Sequence, residues 1–391
     1  MSPSRQDVRG RLVLADSVVP GTIVIDDGRI AEVDVSQETA ARDGGSHGEA
    51  GRADEAPLPY IAPGFVDVHV HGFGGFPAMG SAADLDGMAR ALLRHGVTSF
   101  LPTAVTASLD TLRGFADTVR AWIPGAPADG AAPLGFDLEG PFISPRRKGA
   151  HDPALILAPV DAPAGSIELL LDGLRVTTIA PETPGALELI GRLASAGVAV
   201  SLGHSESTLQ EALAGYAAGA RSTTHLFNAM SGVDHRRPGL AVAALATDAA
   251  YVELIADGHH VHPSLWPVIA RAKPASRLLL VSDALPIAGT DERRTVIGGL
   301  AVEIVGSRAV LAGTDTLAGS VIALDTAVRN LVRAGFDLPF AAAAASANPL
   351  ALLGVDDRGR LEPGLLADLV ELDDELNVRR AWREGVEVAA A

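Results

Sequence analysis

The chain has 391 residues, a formal net charge of -17 and no cysteine, and 48% of its residues are hydrophobic. This composition suits a large globular α/β enzyme, whereas it excludes disulfides and thiolate metal sites and argues against nucleic-acid binding. Residues 1–12 lack the apolar segment of a secretory signal, and no run of about 18 apolar residues follows, so we expect a cytoplasmic protein with no membrane partner.

The first 60 residues predict short β-strands and then an irregular segment. Apolar runs at residues 12–14 and 22–25 flank turn signals, with Asp27-Gly28 where a hairpin turn would lie. Residues 36–58 are rich in Ala, Gly, Glu, Ser and Asp without periodicity, which is typical of a loop. His47 lies in this segment, and we expect it to be solvated.

From residue 61 onward, apolar strand-like runs alternate with amphipathic helical stretches, a pattern typical of a parallel sheet. Eight such units predict a (β/α)8 TIM-type barrel, with an open doubly wound sheet as the alternative. The predicted strands are Phe65–His71, Val97–Thr103, Leu134–Glu139, Val176–Ala180, Val198–Gly203, Ser222–His225, Val252–Ala256 and Leu278–Asp283.

The segment after the eighth strand predicts an insertion, two closing helices and a return to β-structure. Leu300–Val305 and Ala309–Leu311 are typical of a β-hairpin, and Ser320–Arg333 and Leu338–Ala347 of helices. Residues 359–372 are again strand-like, and we expect them to pair with the N-terminal strands. The predicted domains are therefore a small β-sandwich of residues 1–60 plus 356–391, and a catalytic barrel of residues 61–355.

Histidines and carboxylates recur where the predicted strands end. In a barrel of this type the carboxyl ends of the strands carry the active site, and imidazole and carboxylate are the donors available to a metal here. His69 and His71 alternate along the first strand, so both side chains point the same way. The set predicts a metal-dependent active site from His69, His71, Glu139, His204, His225 and Asp283.

Three longer strings resemble a known family. Residues 137–142 (DLEGPF) followed by 148–151 (KGAH), residues 203–205 (GHS), and residues 224–230 (THLFNAM) followed by 236–240 (RRPGL) closely resemble the N-acetylglucosamine-6-phosphate deacetylases of the amidohydrolase superfamily. The resemblance covers about residues 61–350 and implies hydrolysis of N-acetylglucosamine 6-phosphate to glucosamine 6-phosphate and acetate, in amino-sugar catabolism and cell-wall recycling. The alternatives are another amidohydrolase deacetylase or deaminase with a different substrate, and a non-enzymatic sugar-phosphate sensor.

Within this resemblance, a divalent metal would activate water and polarise the amide carbonyl. Glu139, His204 and His225 would bind it, and Asp283 would act as general base. Zinc is the first candidate, with iron(II), manganese and cobalt as alternatives. Some family members lack the His-x-His pair and bind one metal, so His69 and His71 here raise the expectation to one or two metals per subunit.

A second metal would need a bridging ligand. Most two-metal amidohydrolases use a carboxylated lysine, but the only lysines, Lys148 and Lys273, lie away from the strand ends, so Glu139 is the expected bridge.

The sugar phosphate also needs partners in this acidic chain. Asn228, the Ala229 N–H and His260 can offer hydrogen bonds, and the resemblance assigns substrate contacts to His151 and His260. Arg236 can bind phosphate through its planar guanidinium. In the family, the arginine at this position reaches the neighbouring subunit's site, which implies a homodimer.

Overall fold

The computed structural model describes residues 5–35 and 57–389 and contains a parallel barrel and a second, smaller sheet. His47 and nearly all of the predicted loop at residues 36–58 lie outside the described residues. Within them, no helix has both the length and the apolar character that crossing a bilayer requires.

The barrel consists of eight parallel strands that follow one another around the ring in chain order. Backbone bonds close the ring, because the His71 N–H donates to the Ala284 carbonyl at 2.9 Å and the Asp283 N–H to the His69 carbonyl at 2.9 Å. The TIM-type barrel is confirmed, and the open sheet is wrong. The strands are Phe65–Val70, Val97–Val105, Phe136–Glu139, Leu174–Ile179, Ala199–Leu202, Ser222–Thr223, Tyr251–Leu254 and Leu278–Leu280.

Helices surround the barrel, and side chains cap the first turn of several of them. Ser81 and Thr208 each form a capping box, which satisfies backbone N–H groups that the first helical turn leaves free. The second predicted closing helix ends at Ala345, and a further helix follows Ser346. The α-helices are Ala82–Leu93, Leu109–Trp122, Ala186–Ser195, Leu209–Ala217, Leu240–Ala246, Trp266–Ala272, Leu324–Arg333, Leu338–Ala345 and Ala347–Leu353.

The smaller sheet combines strands from both ends of the chain. It folds over on itself as in a sandwich, because the turn at Gly28 meets the loops at Ala367 and Gly385: the Ala367 N–H donates to the Gly28 carbonyl at 2.9 Å, and the Gly385 N–H to the Ala367 carbonyl at 3.0 Å. Tyr60–Pro63 belongs to this sheet, and the domain limits at residues 60 and 356 remain a prediction. The strands are Gln6–Val13, Val18–Asp26, Arg29–Val35, Tyr60–Pro63, Leu369–Leu372, Val378–Arg383 and Val386–Ala389.

The insertion after the eighth barrel strand is a three-stranded antiparallel sheet, so the predicted hairpin was incomplete. Its strands are Arg294–Ile297, Leu300–Val305 and Arg308–Leu311. The first strand is half exposed and contains Arg and Thr, and its short alternation did not resemble that of a core strand.

Candidate active site

Five barrel strands bring the predicted ligands and base together at their carboxyl ends. The first strand supplies two histidines, and the third, fifth, sixth and eighth strands supply one residue each, at or just beyond the last residue of the strand. All six side chains are buried at the mouth of the barrel: His69, His71, Glu139, His204, His225 and Asp283.

The Glu139 carboxylate lies at the centre of this group, and its two oxygens face different histidines. Oε1 lies 2.9 Å from Nε2 of His204 and 2.9 Å from Nε2 of His225. Oε2 lies 3.2 Å from Nε2 of His71 and 3.1 Å from Nε2 of His151. The two oxygens of the carboxylate thus face different imidazoles, so Glu139 could contact a cation on either side.

Backbone carbonyls fix the ring protons of two of these histidines. Nδ1 of His71 lies 3.1 Å from the Thr103 carbonyl, and Nδ1 of His204 lies 2.8 Å from the Arg147 carbonyl. Because a carbonyl only accepts, Nδ1 carries the hydrogen in the neutral ring and Nε2 presents its lone pair towards Glu139. This arrangement is typical of metal-binding histidines.

In His151 the two ring nitrogens have the opposite roles. Its Nδ1 accepts the Thr106 N–H at 3.2 Å, so the hydrogen of the neutral ring lies on Nε2. Although His151 clusters with Glu139 and His204, its Nε2 is therefore a hydrogen-bond donor and not a metal ligand.

The remaining donor atoms fit a divalent cation. Nε2 of His204 and Nε2 of His225 lie 3.1 Å apart, and both nitrogens of His69 are buried without a hydrogen-bond partner among the described residues. His69, His71 and Glu139 form a second compact group of potential ligands. Imidazole nitrogens with a carboxylate oxygen are the donor set of zinc and related divalent metals.

The described lysines lie outside this cluster. The Lys273 ammonium donates to the carbonyls of Ala244 at 3.0 Å and Thr247 at 2.6 Å, and Lys148 donates to the Gly149 carbonyl. A lysine carbamate therefore has no place here, and Glu139 is the carboxylate available for bridging.

Charges within the cluster keep its carboxylates ionised. Burial alone would raise the pKa of Glu139, but the charges of His151, His204 and His69 hold it well below its usual range. Burial also acts to raise the pKa of Asp283, yet the hydrogen bond that the protonated His71 ring donates and the charge of His69 lower it overall. Nε2 of His71 lies 3.2 Å from Asp283 Oδ1. Asp283 is thus a buried carboxylate that can accept a proton.

Three residues of the ligand cluster have strained backbones. His204, His225 and Asp283 adopt positive φ angles of 45°, 27° and 50°. Such angles cost non-glycine residues about 1–3 kcal/mol each and tend to cluster at functional sites. The strain turns the side chains at the strand ends into the mouth of the barrel.

A cavity of about 360 Å³ opens above the cluster, a size suited to a small molecule. The predicted substrate residues His151, Asn228, Ala229 and His260 line it. Both hydrogens of the Asn228 amide already bind the carbonyls of His225 and Leu226, each at 3.1 Å, so its side chain shapes the turn. The direct substrate contact of Asn228 remains a prediction.

His260, which lines the cavity, is paired with the carboxylate of Asp257. Its Nδ1 lies 2.7 Å from Asp257 Oδ2. Burial acts to lower the pKa of His260, but the hydrogen bond to Asp257 and its charge raise it above the usual value. His260 therefore tends to carry positive charge towards the cavity. The neighbouring His259 contacts the Ser307 hydroxyl of the insertion at 2.8 Å.

The arginines that line the cavity are not the one that the sequence analysis predicted to bind phosphate. Arg146 and Arg147 line the cavity, whereas Arg236 is exposed on a loop and does not line it. Arg147 pairs with Glu206, while the Arg146 guanidinium has no carboxylate partner among the described residues. Leu317 of the insertion also lines the cavity.

Sequence reasoning missed three carboxyl groups beneath the cluster. Asp67, Asp137 and Glu253 are buried inside the barrel, and burial raises the pKa of Asp67 to about 7 and of Asp137 to about 8. Burial also raises the pKa of Glu253 well above its usual range. Period-two alternation could have found two of them, because Asp67 precedes His69 and Asp137 precedes Glu139 by two residues. Glu253 lies in an apolar strand without such a signal.

Comparison with known proteins shows one consistent family. A sequence model described as the amidohydrolase family matches residues 60–388. An N-acetylgalactosamine-6-phosphate deacetylase from Escherichia coli O157:H7 is 40% identical over 339 residues, covering 85% of this chain and 88% of that protein. The human N-acetylglucosamine-6-phosphate deacetylase is 38% identical over 341 residues, covering 83% of this chain and 82% of the human protein.

Solved structures share the whole architecture. N-acetylglucosamine-6-phosphate deacetylase from Thermotoga maritima superposes with a TM-score of 0.88 at 32% identity, covering 99% of this chain and 100% of that chain. A mutant of the Mycobacterium smegmatis deacetylase in complex with N-acetyl-D-glucosamine-6-phosphate gives 0.87 at 34% identity, with the same coverage.

Proposed function

Because this chain belongs to the amidohydrolase family and, within it, to the N-acetylglucosamine-6-phosphate deacetylases, we propose that it hydrolyses the N-acetyl group of N-acetyl-D-glucosamine 6-phosphate. The products are D-glucosamine 6-phosphate and acetate, and the reaction serves amino-sugar catabolism and cell-wall recycling. The observation that carries the proposal is the Glu139 carboxylate, held between two sets of imidazoles below a cavity of about 360 Å³.

The residues of the cluster would hold one or two divalent cations. Glu139, His204 and His225 would bind the first, and His69 and His71, together with Glu139, would bind the other. A bound divalent cation supplies Lewis acidity, which makes water more acidic and polarises an amide carbonyl. Zinc is the first candidate, and iron(II), manganese and cobalt suit the same donors.

Asp283 would move the proton that the reaction requires. It takes a proton from the attacking water while the water oxygen bonds to the acetamide carbon. As the carbon–nitrogen bond breaks, Asp283 returns the proton to the departing nitrogen, which leaves as the neutral amine. Its lowered pKa and its position at the mouth of the barrel support this role.

His151 would bind the acetamide oxygen. Since Thr106 fixes the hydrogen of the neutral ring on Nε2, His151 can donate to an oxygen that gains negative charge during the reaction.

The 6-phosphate would lie towards the positive side of the cavity. His260 and the Ala229 N–H would donate to it, and Arg146 adds a cation from the same chain. Arg236 would come from a partner subunit, because its loop lies away from the cavity of its own chain. A homodimer and this contribution in trans remain proposals, as does the cytoplasmic location.

The test is acetate release from N-acetylglucosamine 6-phosphate with and without a chelator. We expect turnover that the chelator abolishes and added zinc restores. The 4-epimer, N-acetylgalactosamine 6-phosphate, belongs in the same assay, because relatives acting on either sugar are about equally similar. No acetate release from either phosphate under metal-replete conditions would overturn the proposal, and release from other N-acyl substrates would favour the rival amidohydrolase.

A further inference from the structure

Beneath the ligand cluster lies a group of buried carboxyl groups that the reaction does not use. Asp67, Asp137 and Glu253 come from the first, third and seventh barrel strands. Both oxygens of Asp137 and one oxygen each of Asp67 and Glu253 have no hydrogen-bond partner among the described residues. Buried carboxylates without partners are strongly unfavourable, so a compensating positive charge or donor is expected nearby.

His69 lies between these carboxyl groups and the ligand cluster. Its Nε2 faces Glu139 Oε1 at 3.6 Å and Asp283 Oδ1 at 3.7 Å. Its Nδ1 faces the opposite way, 3.4 Å from Asp137 Oδ2 and 3.8 Å from Glu253 Oε2. One edge of the ring therefore points into the predicted metal site and the other edge into the acidic group.

A comparison with the other rings shows what His69 lacks. His71 and His204 each donate Nδ1–H to a backbone carbonyl, and this bond leaves the Nε2 lone pair free. His69 has a carboxylate in the corresponding position. Asp137 is the nearer of the two candidates, and Glu253 Oε2 is already oriented by the His225 N–H at 3.1 Å.

We propose that Asp137 is a positioning residue for the second cation. A carboxyl oxygen of Asp137 accepts the Nδ1 hydrogen of His69 and so directs the Nε2 lone pair of that ring into the site. The inference rests on the proposed function, which assigns a second cation to His69, His71 and Glu139. In the other tautomer the Nε2 hydrogen would occupy the cation's place. The charge of the cation would in turn favour the ionised form of the buried Asp137 carboxyl group.

The test is cobalt(II) binding to the full chain after chelator treatment, followed by competition with a chromophoric chelator and by the visible absorption of the bound cobalt. We expect two cations on the unmodified chain. In Asp137→Ala the second should bind about ten- to a hundredfold more weakly, with its absorption band altered and the first cation retained. Asp137→Asn keeps an acceptor and the shape, so a smaller loss is expected.

Controls separate this role from the rest of the site. Glu253→Gln should keep both affinities, and His69→Ala should lose the second cation outright. The proposal would be overturned if folded Asp137→Ala bound the second cation within about threefold of the affinity of the unmodified chain. If that variant does not fold, unchanged affinity and absorption in Asp137→Asn would overturn it. A single cation on the unmodified chain would also overturn it. The cobalt titration contains no substrate, whereas the acetate assay tests deacetylation. Failure of the Asp137 proposal can therefore be distinguished from failure of the proposed function.

Discussion

The Nε2 atoms of His204 and His225 lie 3.1 Å apart, deep in the mouth of the barrel. Two imidazole lone pairs that face each other at this distance repel, and a proton or a cation shared between them removes the repulsion. Glu139 Oε1, at 2.9 Å from both, completes three donors around one point.

Removing the charge of Glu139 tests whether those donors bind metal. Glu139→Gln keeps the shape of the side chain but removes a negative ligand, so both metal content and acetate release should collapse. Elemental analysis and the acetate assay measure the two effects. Glu188→Gln, on the exposed face of a barrel helix, is the matched control and should change neither. Full metal occupancy with normal turnover in the Glu139 variant would contradict this assignment.

Asp283→Asn tests the general base. The amide preserves packing but cannot take a proton, and general acid–base catalysis contributes about 10² to 10⁴ in rate. We expect kcat to fall at least about a hundredfold, with the metal content and the Michaelis constant almost unchanged. Steady-state kinetics and elemental analysis check this, and a fall in kcat of less than about tenfold would remove Asp283 from that role.

Arg236→Ala tests the phosphate contact from a partner subunit. Hydrogen bonds to charged groups contribute about 1.5–3 kcal/mol, so the Michaelis constant should rise about ten- to a hundredfold for the phosphorylated substrate. The effect should be much smaller for unphosphorylated N-acetylglucosamine. Arg237→Ala, one residue along the same exposed loop, is the control.

The same variant can reveal whether the contact is made in trans. Mixing Arg236→Ala chains with Asp283→Asn chains should restore one good site in each mixed dimer. Light scattering measures the oligomeric state, and a subunit-exchange assay shows that mixed dimers form. A fully active monomer, or exchange of subunits without recovery of activity, would contradict the contribution in trans.

Asp257→Asn tests the charge of His260. Asp257 raises the pKa of His260, so the unmodified ring keeps its proton to higher pH than a free histidine. Without Asp257, burial lowers that pKa, and the ring becomes neutral as the pH rises. The loss in kcat/KM for the phosphorylated substrate should therefore be larger near about pH 8 than near about pH 6. A deficit independent of pH, or equal for unphosphorylated N-acetylglucosamine, would show that this charge does not bind phosphate.

The sequence alone determined the barrel and the placement of the candidate ligands at one end of it. Strand periodicity placed His69 and His71 on one face, and the regular alternation of strands and helices put Glu139, His204, His225 and Asp283 at one end of the barrel. These inferences needed only local patterns, together with the rule that the carboxyl ends of parallel strands meet.

Only the tertiary structure decided which histidine nitrogens have a free lone pair for a metal and which donate a hydrogen bond. The Thr103 and Arg147 carbonyls free Nε2 of His71 and His204, whereas the Thr106 N–H makes His151 a donor. Each contact joins residues more than thirty positions apart, so no local pattern records it. The approach of Asp137 to His69 could not be predicted either, because the two residues lie on different strands. The barrel brings both side chains together only when all eight strands are in register.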